Sequence, residues 1–145
     1  MLHKKAGGTM IKKIDHIAIA VQDLDEEIAR YRDVLGLEFL GSEVVADQKV
    51  KVAFFQVGDV HIELTAPTEA DSPVGKFIEK RGTGIHHIAF EVDDLQAQIN
   101  DFTAKDIRMI DTTPRLGAHN AKIAFAHPKS FAGVLLELKE PGEQG

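Results

Sequence analysis

The side chains able to do chemistry in this chain come in matched pairs. His16 and His87 hold equivalent places in Asp15-His16-Ile17-Ala18-Ile19-Ala20-Val21 and His86-His87-Ile88-Ala89-Phe90-Glu91-Val92, 71 positions apart. Glu63 and Glu137 each stand before a Leu in the last apolar run of their half, 74 positions apart. There is no Cys, which excludes disulfides, thiolate metal centres and Cys nucleophiles, so any metal must be held by imidazole and carboxylate. Two His and two carboxylates without sulfur suit a borderline or hard divalent cation and leave coordination positions open for substrate oxygens. Taken singly, a strand His is usually structural and a strand Glu usually solvated. Their repetition at matched places is what points to a metal.

The elements that must position these residues follow from the same repeat. Asp23, Leu24, Ile28 and Tyr31 map at the 71-residue offset onto Asp94, Leu95, Ile99 and Phe102, and Lys51-Val52-Ala53-Phe54 onto Lys122-Ile123-Ala124-Phe125. An insertion of three residues around His127 to Gly133 then lengthens the offset to 74, which carries Glu63-Leu64 onto Glu137-Leu138 and Pro67 onto Pro141. Each half opens with an alternating run, Ile14 to Val21 or Ile85 to Val92, whose period of two predicts a strand. A helix follows. In the first half Asp23 is the cap, Glu26 completes a capping box, Leu24, Ile28, Tyr31 and Leu35 form the buried stripe, and Gly36 ends the helix. In the second, Asp94 starts the helix and Leu95, Ile99 and Phe102 form the stripe. Three short strands complete each half, in the first Glu38 to Val45, Val50 to Val57 and Val60 to Thr65. Residues Pro67 to Gly84 form a linker with a short helix-like segment, Val74 to Lys80. The predicted fold class is α+β: two tandem βαβββ modules, about 11–67 and 82–141, forming an eight-stranded curved sheet around a metal-containing cleft within one domain, 10–145.

Strand parity selects the ligand candidates. Ile17, Ile19 and Val21 point toward the helix, so His16 faces the other way with Ala18 and Ala20. By the same parity His87 sides with Ala89, while His86 sides with Ile88 and Phe90. Of the two adjacent histidines, His87 is the ligand candidate. Glu63 and Glu137 alternate against apolar neighbours and point away from them.

Composition bounds the partners. The 145 residues, 43% hydrophobic and 28% charged, describe an ordinary globular protein, and no apolar run approaches membrane-spanning length. A net charge of -6 argues against general nucleic-acid binding. No signal peptide is read, so a cytoplasmic location is expected. Residues 1–9 lack periodicity and read as an appended or disordered segment before Met10, which sets His3 aside as a ligand.

From Ile11 to Glu140 the sequence resembles the vicinal-oxygen-chelate (glyoxalase/bleomycin-resistance/dioxygenase) superfamily. Within it, "DSPVGKFIEKRGTGIHHIAFEVDD", "GAHNAKIAFAHPKSFAGVLLEL" and "QKVKVAFFQVG" resemble the methylmalonyl-CoA epimerase family. The resemblance implies metal ligands at His16, Glu63, His87 and Glu137, with Gln replacing Glu63 in some members, which makes an outer role for Glu63 the alternative. It implies interconversion of (2R)- and (2S)-methylmalonyl-CoA by metal-assisted proton transfer at C2 through an enolate. Asp47 falls where the family carries a catalytic Glu, and is expected to be one base. Glu137, ligand and base together, is expected to be the other. Asp47 also reads as a turn residue before a strand, and its repeat partner is Ala118. His119 and His127 read as loop histidines, and the resemblance offers them as contacts to the substrate. Lys76, Lys80 and Arg81 have the chemistry to meet CoA phosphates, though a solvated helix face accounts for them equally, and Lys129 is similar. Co²⁺ is the metal the resemblance favours; Mn²⁺, Ni²⁺, Zn²⁺ or Mg²⁺ also suit such a set. A homodimer and a place in propionate metabolism are expected too. The alternatives are a glyoxalase I-type lactoylglutathione lyase, with the same ligand pattern, and a metal-free small-molecule-binding module, which should lack the ligands this chain keeps. An extradiol dioxygenase draws its iron site from one module of a longer chain and fits less well.

Overall fold

The computed structural model describes residues 11–142; residues 1–9 and His3 lie outside them. In chain order the elements are β1 (Ile11–Ala20), α1 (Leu24–Ala29), β2 (Glu38–Val45), β3 (Val50–Val57), β4 (Val60–Pro67), α2 (Pro73–Arg81), β5 (Gly84–Val92), α3 (Leu95–Ala104), β6 (Arg115–Leu116), β7 (Lys122–Ala126) and β8 (Leu136–Glu140). The chain divides into two compact units, Asp15–His87 and the described residues on either side of it, and the division falls inside β1 and β5. No helix among the described residues is long and apolar enough to cross a membrane.

In the unit Asp15–His87 the strand order is β2-β3-β4-β1, with β1 parallel to β4 and the other pairs antiparallel. Alternation drives it. Val21, Leu24, Ala53, Phe55, Leu64 and Ala66 are buried together, with Ile19, Ile28, Tyr31 and Ile62 packed on them. Full burial of a Val, Leu or Phe side chain contributes about 1.5–3 kcal/mol. Asp23 caps α1, its Oδ1 accepting from Glu26 N at 3.0 Å. The expected capping box forms only on that side, because the Glu26 carboxylate accepts from Arg30 Nη2 at 3.2 Å instead. The helix then widens into a π segment over Arg30–Val34, closed by Leu35 N donating to Arg30 O at 3.3 Å. Those i→i+5 bonds shift the angular position of everything beyond Tyr31. Leu35, expected in the buried stripe, is therefore 58% exposed. Gly36, at φ +70°, ends the helix in the left-handed region as expected.

The second unit repeats the plan with the order β5-β8-β7-β6, β5 parallel to β8. Asp94 caps α3, accepting from Ala97 N at 3.1 Å, and Glu140 Oε1 accepts from Leu95 N at 2.9 Å. Leu95 and Ile99 pack with Val92, Ala124 and Leu138, and Phe90, Phe102 and Met109 cover them. The three-residue insertion lies between β7 and β8, where a short 3₁₀ turn, Pro128–Phe131, occurs.

Candidate metal centre

Backbone register explains why the acids and histidines leave the apolar packing. Glu63 on β4 lies between Ala18 of β1 and Phe54 of β3. Its neighbour Leu64 belongs to the core, so Glu63 must project to the other face. The same parity on β1 sends His16 to that face. His16, His87, Glu63 and Asp15 are all buried, between 3% and 8% exposed.

The two histidines meet through their Nε2 atoms, 3.2 Å apart, with rings at 77°. At the other edge of the His16 ring, Nδ1 lies 2.7 Å from Asp15 Oδ2 and 3.1 Å from Glu63 Oε2. A carboxylate at that distance accepts a proton from Nδ1. The lone pair of His16 Nε2 then points at His87 Nε2. Two ring nitrogens so placed need a proton or a cation between them, and nearby buried carboxylates need positive charge to offset their desolvation. The donor set therefore fits a divalent metal ion. Asp15, His16 and Glu63 each offer a ligand atom, all within 4.8 Å of one another. His87 Nδ1 is 2.8 Å from His86 Nδ1, and the Phe77 ring meets His86 edge to face at 4.9 Å. His87 is buried, while His86 is half-buried against Phe77.

Glu137 belongs to the second unit. It is 5% exposed on β8, between Ala89 of β5 and Phe125 of β7. Those neighbours are the repeat partners of Ala18 and Phe54, so both glutamates occupy the same frame.

The remaining candidates lie nearer the surface. Asp47 is exposed in a 3₁₀ turn, Ala46–Gln48. Lys49, at φ 55°, closes that turn; its N donates to Ala46 O at 3.1 Å and its O accepts from Thr68 N at 2.9 Å. Lys49 Nζ pairs with Asp71 at 2.8 Å, a hydrogen-bonded pair that raises the Lys49 pKa and lowers that of Asp71. His119 is exposed, at φ 56° in the turn Ala118–Asn120. His127 Nδ1 accepts from Lys129 N at 3.0 Å, and burial, then Arg108 and Lys129, hold its pKa below the usual histidine range. Lys76, Lys80 and Arg81 are exposed on α2, with Arg81 Cζ over the Phe77 ring at 5.9 Å. A cavity of about 430 Å³ lies beside α1, against Gln22, Glu27, Arg30, Tyr31 and Thr83, and none of the candidate ligands lines it.

Asp15 and His86 are the contacts that reading the sequence missed. The signal was adjacency: each directly precedes a candidate ligand, but parity directs attention to residues two apart.

Residues 15–125 match the family model of the Glyoxalase/Bleomycin resistance protein/Dioxygenase superfamily. An uncharacterized protein of Bacillus subtilis is 48% identical, the match covering 92% of this chain and 96% of that protein. The mitochondrial methylmalonyl-CoA epimerase of Mus musculus is 39% identical over 88% of this chain and 72% of its own. An ethylmalonyl-CoA/methylmalonyl-CoA epimerase of Cereibacter sphaeroides is 38% identical over 90% and 99%. Among solved structures, methylmalonyl-CoA epimerase from Mycobacterium tuberculosis superposes with a TM-score of 0.89 at 38% identity, over 97% of this chain and 95% of that one. A methylmalonyl-CoA epimerase in complex with methylmalonyl-CoA and NH4+ gives 0.89 at 38%, over 92% and 96%. The α+β, eight-stranded fold of those structures is the fold of this chain.

Proposed function

The chain belongs to the methylmalonyl-CoA epimerase family of the glyoxalase/bleomycin resistance/dioxygenase superfamily, and on that premise we propose that it interconverts the 2R and 2S epimers of methylmalonyl-CoA. The observation that carries the metal part of the reading is the buried pair His16 and His87, Nε2 to Nε2 at 3.2 Å, with a carboxylate at the first histidine; likeness to the epimerases carries the substrate. His16, His87 and Glu63 would hold the metal together with Glu137, which joins the set through its repeat equivalence to Glu63 and the family resemblance. In this structure Glu63 Oε2 stands at Nδ1 of His16, the ring edge away from Nε2, which supports the outer role for it. An ion held by these residues would supply positive charge to offset the negative charge that develops when C2 loses its proton.

The protein's own task is to move one proton. C2 lies between two electron-withdrawing carbonyl groups, and inversion requires that the proton leave one face and return to the other. Two bases on opposite faces accomplish this. Asp47, on a turn braced by Lys49, is one; Glu137 is the other. His119 and His127 are offered to the substrate carboxylate or thioester, and Lys76, Lys80 and Arg81 to the CoA phosphates. We further propose Co²⁺ as the native ion, a homodimer, a cytoplasmic location and a role in propionate metabolism, on family grounds. Metal analysis of the purified protein, followed by proton NMR of methylmalonyl-CoA in heavy water, tests the assignment. Metal-dependent exchange at C2 is expected; bound metal without exchange at C2 would remove the epimerase reading and leave the lactoylglutathione lyase one.

A further inference from the structure

We infer that Asp15 and His86, each the residue directly before a proposed ligand histidine, are positioning residues that fix the orientation of those rings through Nδ1. The inference rests on the metal reading of His16 and His87. An imidazole coordinates a cation through one nitrogen, and what the other nitrogen touches decides which way the ring faces. At His16 the nearer partner is Asp15 Oδ2, 2.7 Å away and only 8% exposed as a residue, with Glu63 Oε2 farther off at 3.1 Å. At His87 it is His86 Nδ1, 2.8 Å away. With both Nδ1 edges engaged, the two Nε2 atoms are left to converge at 3.2 Å.

The two partners do the same task with different chemistry. Asp15 is an anionic acceptor, which holds the Nδ1 proton and makes His16 a more basic ligand. His86 is an imidazole, which accepts from His87 Nδ1 only while its own Nδ1 carries no proton. Its ring is braced from behind: Phe77 meets it edge to face at 4.9 Å with an interplanar angle of 77°, and Arg81 lies over Phe77. Helix α2 thereby reaches a proposed metal ligand through two ring contacts. Phe77 is part of the same positioning device.

The test compares Asp15→Leu and His86→Phe with the acceptor-retaining variants Asp15→Asn and His86→Gln, in the full chain. Two readouts apply, neither of which is activity. Proton NMR of ¹⁵N-labelled protein, metal-free and Zn²⁺-loaded, should show two downfield, solvent-protected imidazole protons, one lost in Asp15→Leu and the other in His86→Phe. Calorimetric titration with Co²⁺ alone should show affinity reduced about 10- to 100-fold in those two variants, as for lost outer partners of metal-bound histidines, with partial rescue in Asp15→Asn and His86→Gln. Circular dichroism identifies any variant that has not folded, and the unmodified protein's spectrum then decides. Absence of both protected protons in the unmodified protein, or unchanged Co²⁺ affinity in folded Asp15→Leu and His86→Phe, overturns the inference. If the unmodified protein binds no divalent ion yet shows both protons, the metal reading fails while the positioning contacts stand.

Discussion

The two halves of the chain keep one backbone plan and differ in what surrounds the histidine. Glu63 lies between Ala18 and Phe54, and Glu137 between Ala89 and Phe125, so the frame around each acid is preserved position for position. Each half also has its own apolar core beneath its own helix. Outside that frame the halves diverge. The first places an acid before its histidine, the second another histidine. β2 has eight residues and β6 only two. β3 and β4 are joined tightly at Gly58 and Asp59, whereas the connection from β7 to β8 carries a 3₁₀ turn. Strand register is what both halves retain, because a slip of one residue would exchange the acid for a core Leu. Residues that do not decide the face are free to differ.

Substitutions that treat the halves unequally test this. The largest effect is expected at the histidines: His87→Ala should abolish Co²⁺ binding and epimerisation, whereas His61→Ala, paired with His16 across β1 and β4, should keep both. Retained binding in His87→Ala would mean that His87 is not a ligand. Next come the matched acids. Glu137→Gln should lower turnover on the order of 10²- to 10⁴-fold by removing the proposed base, and weaken metal binding as well, while Glu63→Gln should cost less than about tenfold. Equal losses would make the halves functionally interchangeable. Asp47→Ala has no counterpart in the second half and should separate two readouts. Inversion should fall on the order of 10²-fold while one epimer still exchanges its C2 proton with heavy water. Inversion of both epimers at the unmodified rate would leave Asp47 a turn residue. The smallest effects concern packing. Leu64→Ala and Leu138→Ala, both fully buried, should each destabilise by about 2–5 kcal/mol in urea unfolding. Leu35→Ala, exposed beyond the π segment, should stay within about 0.5 kcal/mol. A larger loss there would restore Leu35 to the stripe.

Much of this was legible because both signals are periodic. Alternation fixed β2 and β3 to the residue, and the 71-residue repeat carried the reading into the second half. Parity placed His16, Glu63, His87 and Glu137 off the core face, and all four are buried. The 3.6-residue period that puts Leu35 in the stripe cannot foresee where i→i+5 bonds begin. The capping-box spacing assigns Glu26 to the cap, but Arg30, four residues on, competes for its carboxylate. The contacts of Asp15 and His86 are hidden from periodicity for a different reason. Alternation states where a Cβ points, not where a short acid or an imidazole edge ends, and Nδ1 lies close enough to its own backbone to meet the preceding side chain.

The parallel pairing of β1 with β4 has a consequence for the order in which the protein is made. His16 and Glu63 become neighbours only when Ala18 reaches its partner on β4, and everything from α1 to β3 lies between them in the chain. Local hairpins close early, and distant parallel pairs close late because a long loop must first be ordered. At a synthesis rate of about 5–20 residues per second, roughly 2–10 s pass between the emergence of His16 and that of Glu63. The His16 side of the proposed metal centre therefore cannot be completed before β4 is available to pair with β1.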